Sequence, residues 1–260
     1  MILALDVGNT NIVIGGFVDE KLAFVSRIST DSEKTEYEYA SLITDIMRLE
    51  GMSTDKVEGA IISSVVPPLN QIIKDALGKA FGISAFIVGP GLKTGVNLLI
   101  DNPLQAGADL VCSTAAAYKY YTTPAVVVDM GTATKISLVD ENGAFCGVSI
   151  IPGVGISIRA LSSNTAQLPQ ISLDAPQTII GKNTIDSMQS GLVYGSACMI
   201  DAMLERIRDE YGKSFTVIAT GGISRFIIPH CRTEIEIDEN LILKGLYAVS
   251  YTHLTLPTKR

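Results

Sequence analysis

Two short polar loops, each entered from an apolar run that ends in an aspartate, are the parts of this sequence best suited to chemistry. Positions 6–11 read DVGNTN, and positions 129–134 read DMGTAT. Glycine lets a backbone approach a phosphate closely, and a hairpin turn aims several N–H donors at it. Small hydroxyl and amide side chains add further donors. The two loops therefore predict a binding site for a phosphate chain.

The aspartates that precede these loops, Asp6 and Asp129, stand at the ends of predicted strands. A carboxylate in that position can hold Mg²⁺, directly or through water, or another cation. One such loop is weak support, because the same residues also form a good hairpin turn. Two loops in equivalent places, which we expect to face each other across a cleft, favour a site for a nucleotide and its metal.

A third glycine-containing junction, Gly221-Gly222, follows a predicted buried strand. Paired glycines at a strand-to-helix junction let a flat ring lie against the backbone, which would suit adenosine. The alternative is a glycine turn that only separates the strand from the next helix. Taken alone, the junction favours the glycine turn.

A candidate general base, Asp109, follows a loop containing proline and glycine and begins a stretch of small helix-forming residues. A kinase that acts on an alcohol benefits from a carboxylate that accepts the hydroxyl proton, although positioning and charge stabilisation dominate such catalysis. The alternative role is a helix N-cap, which aspartate often fills. The sequence alone does not decide between these two roles.

Other familiar routes to nucleotide binding or hydrolysis are not supported. Gly181-Lys182 resembles the end of a P-loop, but Pro176 stands where that motif needs a glycine, and no strand leads into it. The glycines near position 153 lack the third member of a dinucleotide fingerprint. Only two histidines occur, His230 and His253, so a histidine-dependent catalytic triad is not expected.

The elements that must position these residues form two similar series. Strands are predicted at 2–6, 12–17, 22–28, 59–65, 85–88, 125–129, 135–140, 144–151 and 215–219, and helices at 36–49, 69–81, 155–162, 183–211 and 239–249. Each half opens with a three-stranded meander, and each meander contains one of the two polar loops. The repetition predicts a duplicated lobe, with a boundary near 121–124.

Composition limits the class of partner. The chain has 260 residues, of which 47% are hydrophobic and 18% charged, and its net charge is −7. That charge argues against nucleic acid or an anionic membrane as the main partner. No apolar run is long enough to predict a membrane span. The four scattered cysteines predict reduced thiols, and residues 250–260, which lack any periodicity, predict a non-native or disordered tail.

The order and spacing of these motifs resemble the type III pantothenate kinases, a branch of the acetate kinase, sugar kinase and actin superfamily. The resemblance extends from Met1 to about Val249 and rests on matching stretches at 6–10, 101–103, 107–109, 129–134, 151–153 and 181–184, the last leading into Gly191. It implies an α/β fold of two actin-like, ribonuclease H-like lobes, 1–121 and 122–249, with a cleft between them. It also implies a cytoplasmic homodimer that transfers phosphate from ATP to pantothenate, the first step toward coenzyme A.

The resemblance assigns roles residue by residue. Asp109 would be the general base, Asp129 would hold K⁺ or NH₄⁺, and Asp6 would hold Mg²⁺ through water. ATP would be bound by Asp6, Val7, Gly8, Asn9, Thr10, Asn11, Ile12, Val13, Thr132, Gly221 and Gly222. Pantothenate would be contacted by Ile100, Gly107, Ala108, Asp109, Leu110 and Thr184.

Two positions depart from the family pattern. Leu110 stands where the family continues Gly-x-Asp with arginine, and Ile100 stands where many relatives have an aromatic residue. Arginine offers paired donors to an anionic substrate, whereas leucine offers none. Two alternatives to a pantothenate kinase therefore stay open: a non-catalytic, nucleotide-binding regulatory relative, and a kinase of this superfamily for another small hydroxylated metabolite.

Overall fold

The computed structural model describes residues 1–163 and 168–254, which form two compact units. The first unit comprises Met1–Lys119 together with the segment that begins at Leu241, and the second comprises Tyr120–Asn240. Within the described ranges, no helix is both long enough and apolar enough to cross a membrane.

The strands and helices follow one another in a mixed α/β order. The strands are β1 (Ile2–Val7), β2 (Asn11–Val18), β3 (Lys21–Ser29), β4 (Gly59–Ser64), β5 (Ala85–Ile87), β6 (Ala125–Met130), β7 (Ala133–Val139), β8 (Phe145–Pro152), β9 (Thr216–Thr220) and β10 (Glu236–Ile237). The helices are α1 (Glu36–Leu49), α2 (Pro67–Phe81), α3 (Ala108–Tyr120), α4 (Val154–Ser163), α5 (Thr184–Tyr211), α6 (Ser224–Ile227) and α7 (Leu241–Leu254). Short 3₁₀ turns occur at Thr54–Lys56, Pro103–Gln105 and Ile228–His230.

The two five-stranded sheets have the same topology. The first has the order β3-β2-β1-β4-β5, and the second, written from its opposite edge, has the order β8-β7-β6-β9-β10. In each sheet the first three strands of the unit form an antiparallel meander, and the later two strands are parallel to the strand that opens it. The duplication predicted from the sequence is therefore confirmed, as is the α/β class.

Local sequence explains why the main helices begin and end where they do. Thr35 and Glu38 form a reciprocal capping box at the start of α1, which buries Tyr39, Ile43 and Met47 on one face. The helix α5 is capped at its start by Asn183, whose side chain accepts the Asp186 N–H group, and at its end by Gly212, whose φ is +71°.

The first unit buries apolar side chains on both faces of its sheet. Leu3 and Leu5 of β1 belong to the cluster formed with α1 and α2. Ala4 of the same strand belongs to a second cluster, which contains Leu243 and Leu246 of α7. Alternation along the strand thus gives each face its own core.

The structure corrects the sequence prediction for the end of the chain. Residues 122–249 were predicted to form one lobe, but α7 packs in the first unit, where its leucines cover Ala4 and Ile61. The predicted tail also begins too early, because α7 continues to Leu254. The remaining tail, 255–260, lies outside the described residues. The short strand β10 was missed, since two exposed residues carry no readable periodicity.

Candidate functional site

The first polar loop is a tight hairpin between β1 and β2. The Gly8 N–H group donates to the Asn11 carbonyl oxygen over 3.0 Å. Thr30 holds the loop from the side, because its hydroxyl donates to the Gly8 carbonyl over 2.6 Å and its N–H group to the Thr10 carbonyl over 3.0 Å. Asn9 and Thr10 are exposed at the tip. A fixed loop with exposed polar groups suits the predicted phosphate contact.

The apolar residues beside this hairpin cannot offer their side chains to a nucleotide. Val7 and Ile12 are 1% and 0% exposed and belong to the core of the first unit. Val13 is partly buried in the cluster that contains Ala4 and α7. Of the residues predicted to bind ATP, these three could therefore contribute through their backbone.

The second polar loop is the equivalent hairpin between β6 and β7. The Gly131 N–H group donates to the Ala133 carbonyl over 3.1 Å, and Thr132 is exposed at the tip. A Cβ atom on Gly153 would overlap the Thr132 carbonyl oxygen. A Cβ on Gly221 would lie 2.5 Å from the Met130 carbonyl oxygen, and φ of Gly221 is +90°. Close backbone approach therefore accounts for the glycines at both positions, whatever ligand they also contact.

Asp6 and Asp109 act on a common neighbour, Cys112, which is fully buried. Burial raises the pKa of the Cys112 thiol well above its usual value, and the negative charges of Asp6 and Asp109 raise it further. Charges act over short distances inside a protein, so the end of β1 and the start of α3 bring these two carboxylates into one region of the first unit. The predicted magnesium ligand and the predicted general base both lie close enough to Cys112 for their charges to act on its thiol.

Asp109 lies inside α3 rather than capping it. The Gly107 carbonyl accepts the first helical hydrogen bond, from the Val111 N–H group over 3.2 Å, so Gly107 holds the N-cap position. One carboxylate oxygen of Asp109, Oδ1, accepts the Leu110 N–H group over 2.8 Å. A Cβ on Gly107 would lie 2.5 Å from that oxygen. Glycine at 107 therefore leaves room for the carboxylate to turn back over the start of the helix, and the N-cap alternative is wrong.

The residues predicted to bind pantothenate are divided between the two units. Ile100, Gly107, Ala108, Asp109 and Leu110 belong to the first unit, and Thr184 to the second. Ala108 and Leu110 are only 8% and 9% exposed. Leucine at 110 is therefore a largely buried side chain, so an arginine there would have to place its guanidinium group where little water reaches.

Thr184 borders a pocket of about 720 Å³ within the second unit. The pocket is lined by the segment that enters α5 and by its first turns, including Lys182, Met188 and Leu192. Lys182 and Thr184 are exposed there. No binding role was predicted for Lys182 from the sequence, although it stands in the matching stretch 181–184, because no local pattern shows that it lines a pocket.

Asp129 is paired with a lysine that sequence reasoning did not consider. It is 8% exposed, and its Oδ2 atom lies 2.7 Å from Nζ of Lys135. The two residues are direct partners on antiparallel β6 and β7. Because the hairpin is so short, the residue opposite Asp129 could have been read from the sequence. The pairing is therefore a signal that was present and overlooked.

The carboxylates fit the two predicted cations differently. Among the described residues, no group of three or more histidine, cysteine or acidic side chains gathers into a metal cage. Mg²⁺ in kinases needs only one or two carboxylates, because substrate phosphates and water complete its shell, so Asp6 fits that role. A monovalent cation does not fit at Asp129, where the Lys135 ammonium group already contacts the carboxylate.

The sequence of this chain is similar to those of type III pantothenate kinases over nearly its whole length. The model of the type III pantothenate kinase family matches residues 2–206. A type III pantothenate kinase from Brevibacillus brevis is 42% identical over 95% of this chain and 96% of its own. One from Geobacter sulfurreducens is 41% identical, with the same coverage.

Solved structures of proteins with low sequence identity share the fold of this chain. A solved ROK hexokinase from Thermus thermophilus aligns with a TM-score of 0.52 over 96% of this chain and 98% of its own. Its sequence identity is 13%, so the likeness concerns the fold. It agrees with an α/β fold that contains two sheets of the same topology.

Proposed function

We propose roles for the individual residues of this chain, which belongs to the type III pantothenate kinase family and phosphorylates pantothenate with ATP in coenzyme A biosynthesis. The observation that carries the function is the family relationship, at 42% identity over 95% of the chain. The two hairpins and Asp109 supply the parts that such a reaction needs. Phosphoryl transfer is catalysed mainly by positioning the reactants and stabilising charge.

The hairpins would hold the phosphates of ATP. Gly8, Asn9 and Thr10 belong to one loop, which the Thr30 hydrogen bonds support and whose tip residues Asn9 and Thr10 are exposed. Thr132 stands at the tip of the other hairpin. Preorganised N–H and hydroxyl donors favour the charge that develops during transfer, because they need no rearrangement as the reaction proceeds.

Asp6 would hold Mg²⁺ through water at the end of β1. The ion, when bound with ATP, neutralises charge on the phosphate oxygens. Val13 lies opposite Asp6 on β2, so the cross-strand residue brings no positive charge that would compete with Mg²⁺ for the carboxylate. We assign no monovalent cation to Asp129, because Lys135 supplies a positive charge at that carboxylate.

Asp109 would accept the proton of the attacking pantothenate hydroxyl. Its Oδ1 atom accepts the Leu110 N–H group, which fixes the orientation of the carboxylate at the start of α3. A carboxylate oriented in this way can act as a general base without first ordering its side chain. The fixed orientation is what favours this role over a loosely held surface carboxylate.

Pantothenate itself would contact Gly107, Thr184 and the neighbouring residues that the family resemblance assigns. Leu110 cannot bind its carboxylate, since it has no donor. Lys182 borders the same pocket as Thr184 and offers an ammonium group to that carboxylate. A contact of adenosine with Gly221 and Gly222, a homodimer and a cytoplasmic location remain predictions of the family resemblance.

The decisive experiment measures ADP release by a coupled assay with ATP and Mg²⁺, in the presence and absence of pantothenate. Pantothenate-dependent release of ADP is the expected result. ATP binding without turnover would favour a regulatory relative, and turnover only with other hydroxylated metabolites would favour a different substrate. Asp6→Asn should remove turnover, whereas Asp55→Asn, at an exposed carboxylate in the same unit, should not.

A further inference from the structure

The ion pair between Asp129 and Lys135 lies at the base of the second hairpin. Its Nζ to Oδ2 distance is 2.7 Å, and the side chains of Lys135 and Asp129 are 17% and 11% exposed. Most of both side chains is therefore shielded from water. The attraction between the two charges is stronger in such a position than on the surface.

The pair belongs to the loop that would contact ATP. Asp129 is separated from Gly131 by a single residue, and its second carboxylate oxygen, Oδ1, lies 3.6 Å from the place where a Gly131 Cβ would stand. Thr132 follows at the exposed tip. The positive charge of Lys135 is thus fixed on the strand that leaves the hairpin.

The equivalent hairpin shows that a lysine is not required by the fold. There Asp6 is paired with Val13 on the neighbouring strand, whereas Asp129 is paired with Lys135. Both hairpins close with the same pattern, a glycine N–H group donating to a carbonyl oxygen at the start of the next strand. The lysine therefore adds a charge to one copy of a repeated structure without being needed to form it.

We infer that the Lys135 ammonium group takes the place of a monovalent cation at Asp129, so that phosphoryl transfer does not depend on added K⁺ or NH₄⁺. A bound K⁺ and the ammonium group would repel each other beside one carboxylate, and K⁺ would also lose water of hydration. Lys135 already carries the charge, and its tether to β7 removes the need to recruit an ion. The inference rests on the proposed function of the second hairpin as a phosphate-binding loop.

The test begins with the unaltered protein. Turnover is measured with ATP, Mg²⁺ and pantothenate while the chloride salts of K⁺, NH₄⁺, Na⁺ and choline are exchanged at constant ionic strength. We expect kcat and the KM for ATP to change by less than about twofold, because no site for the ion is open. A tenfold or larger stimulation by K⁺ or NH₄⁺ would overturn the inference. Absence of pantothenate-dependent turnover in every salt would instead refute the proposed function.

The second arm replaces the lysine with a neutral side chain of similar length, Lys135→Met. Without the ammonium group the negative charge of Asp129 is uncompensated beside the phosphate-binding loop, so ATP binding is expected to weaken by about tenfold to a hundredfold. K⁺ should then restore part of that loss in the variant, measured as the dissociation constant of ATP by calorimetry, and should have no such effect on the parent. Equal ATP affinity in parent and variant would contradict the role given to Lys135.

A matched control is available in the same unit. Lys213 forms an ion pair with Glu141 at 2.6 Å, but both side chains are about half exposed, at 55% and 46%. Lys213→Met should leave ATP affinity and its salt dependence unchanged. If the control lost affinity to the same extent as Lys135→Met, the effect would come from general loss of positive charge, and the inference would fail.

Discussion

Replacing Asp109 with asparagine separates a catalytic carboxylate from a structural one. Oδ1 of Asp109 accepts the Leu110 N–H group over 2.8 Å, and an asparagine amide oxygen can accept the same hydrogen bond. The two side chains have nearly the same size, so the contact with Gly107 is preserved. The substitution therefore removes one negative charge and one proton-accepting oxygen while leaving the backbone geometry in place.

The two roles predict effects of different size. A charge in the first turn of a helix contributes about 0.3–1 kcal/mol to stability, which corresponds to a Tm shift of at most about 4 °C in a chain of this length. Removal of a general base costs about a hundredfold to ten-thousandfold in rate, or roughly 2.7–5.4 kcal/mol of transition-state stabilisation. We expect Asp109→Asn to lower kcat by about a hundredfold to ten-thousandfold and to shift Tm by at most about 4 °C.

The assay follows kcat, the KM values, ATP affinity and Tm in parallel. Glu36→Gln is the matched control, because Glu36 also lies in the first turn of a helix, α1. It should show a Tm shift of similar size with unchanged kcat. If kcat of Asp109→Asn stayed within about threefold of the parent, the general-base role would be refuted, since that change is far below the range for such a residue.

Three further predictions address packing and reactivity. Leu110→Arg should lower Tm, because Leu110 is only 9% exposed. If the new guanidinium group reaches the substrate, it should also lower the KM for pantothenate by about tenfold to a hundredfold. An unchanged KM would place residue 110 outside the substrate site. Gly245→Ala should destabilise the protein by about 1–3 kcal/mol in chemical denaturation, because its Cβ would overlap the Cys112 carbonyl oxygen, whereas Gly195→Ala, which meets open space, should not. Iodoacetamide should label exposed Cys198 before buried Cys112 in the native protein, as followed by mass spectrometry. The thiolate is the reacting form, and burial raises the pKa of the Cys112 thiol. Early labelling of Cys112 would contradict its burial.

The local parts of the fold could be predicted because short-range signals specify them. The bounds of α1, 36–49, follow from its capping residues and the spacing of its apolar face, and the predicted and observed bounds agree. The two hairpins follow from glycine and polar residues placed between apolar runs. Both types of signal lie within a few residues of the structure they specify.

The position of α7 could not be predicted in the same way. Its residues are apolar around most of the helix, and such a helix can be buried against either sheet. In the structure Gly245 lets the helix approach the Cys112 backbone in α3, where a Cβ atom would overlap the carbonyl oxygen. That contact joins residues far apart in the chain, so no local pattern reveals it.

Charge, rather than backbone, distinguishes the two copies of the repeated hairpin. Asp6 and Asp129 occupy the same place at the end of the strand that opens each unit, and sequence reasoning assigned a cation to each. The structure places Val13 opposite the first and Lys135 opposite the second. The Asp129 carboxylate is compensated by the Lys135 ammonium group, whereas the residue opposite Asp6 is apolar and brings no charge to that hairpin. A repeated backbone therefore does not imply repeated chemistry, because the residue opposite each aspartate gives the two hairpins a different charge.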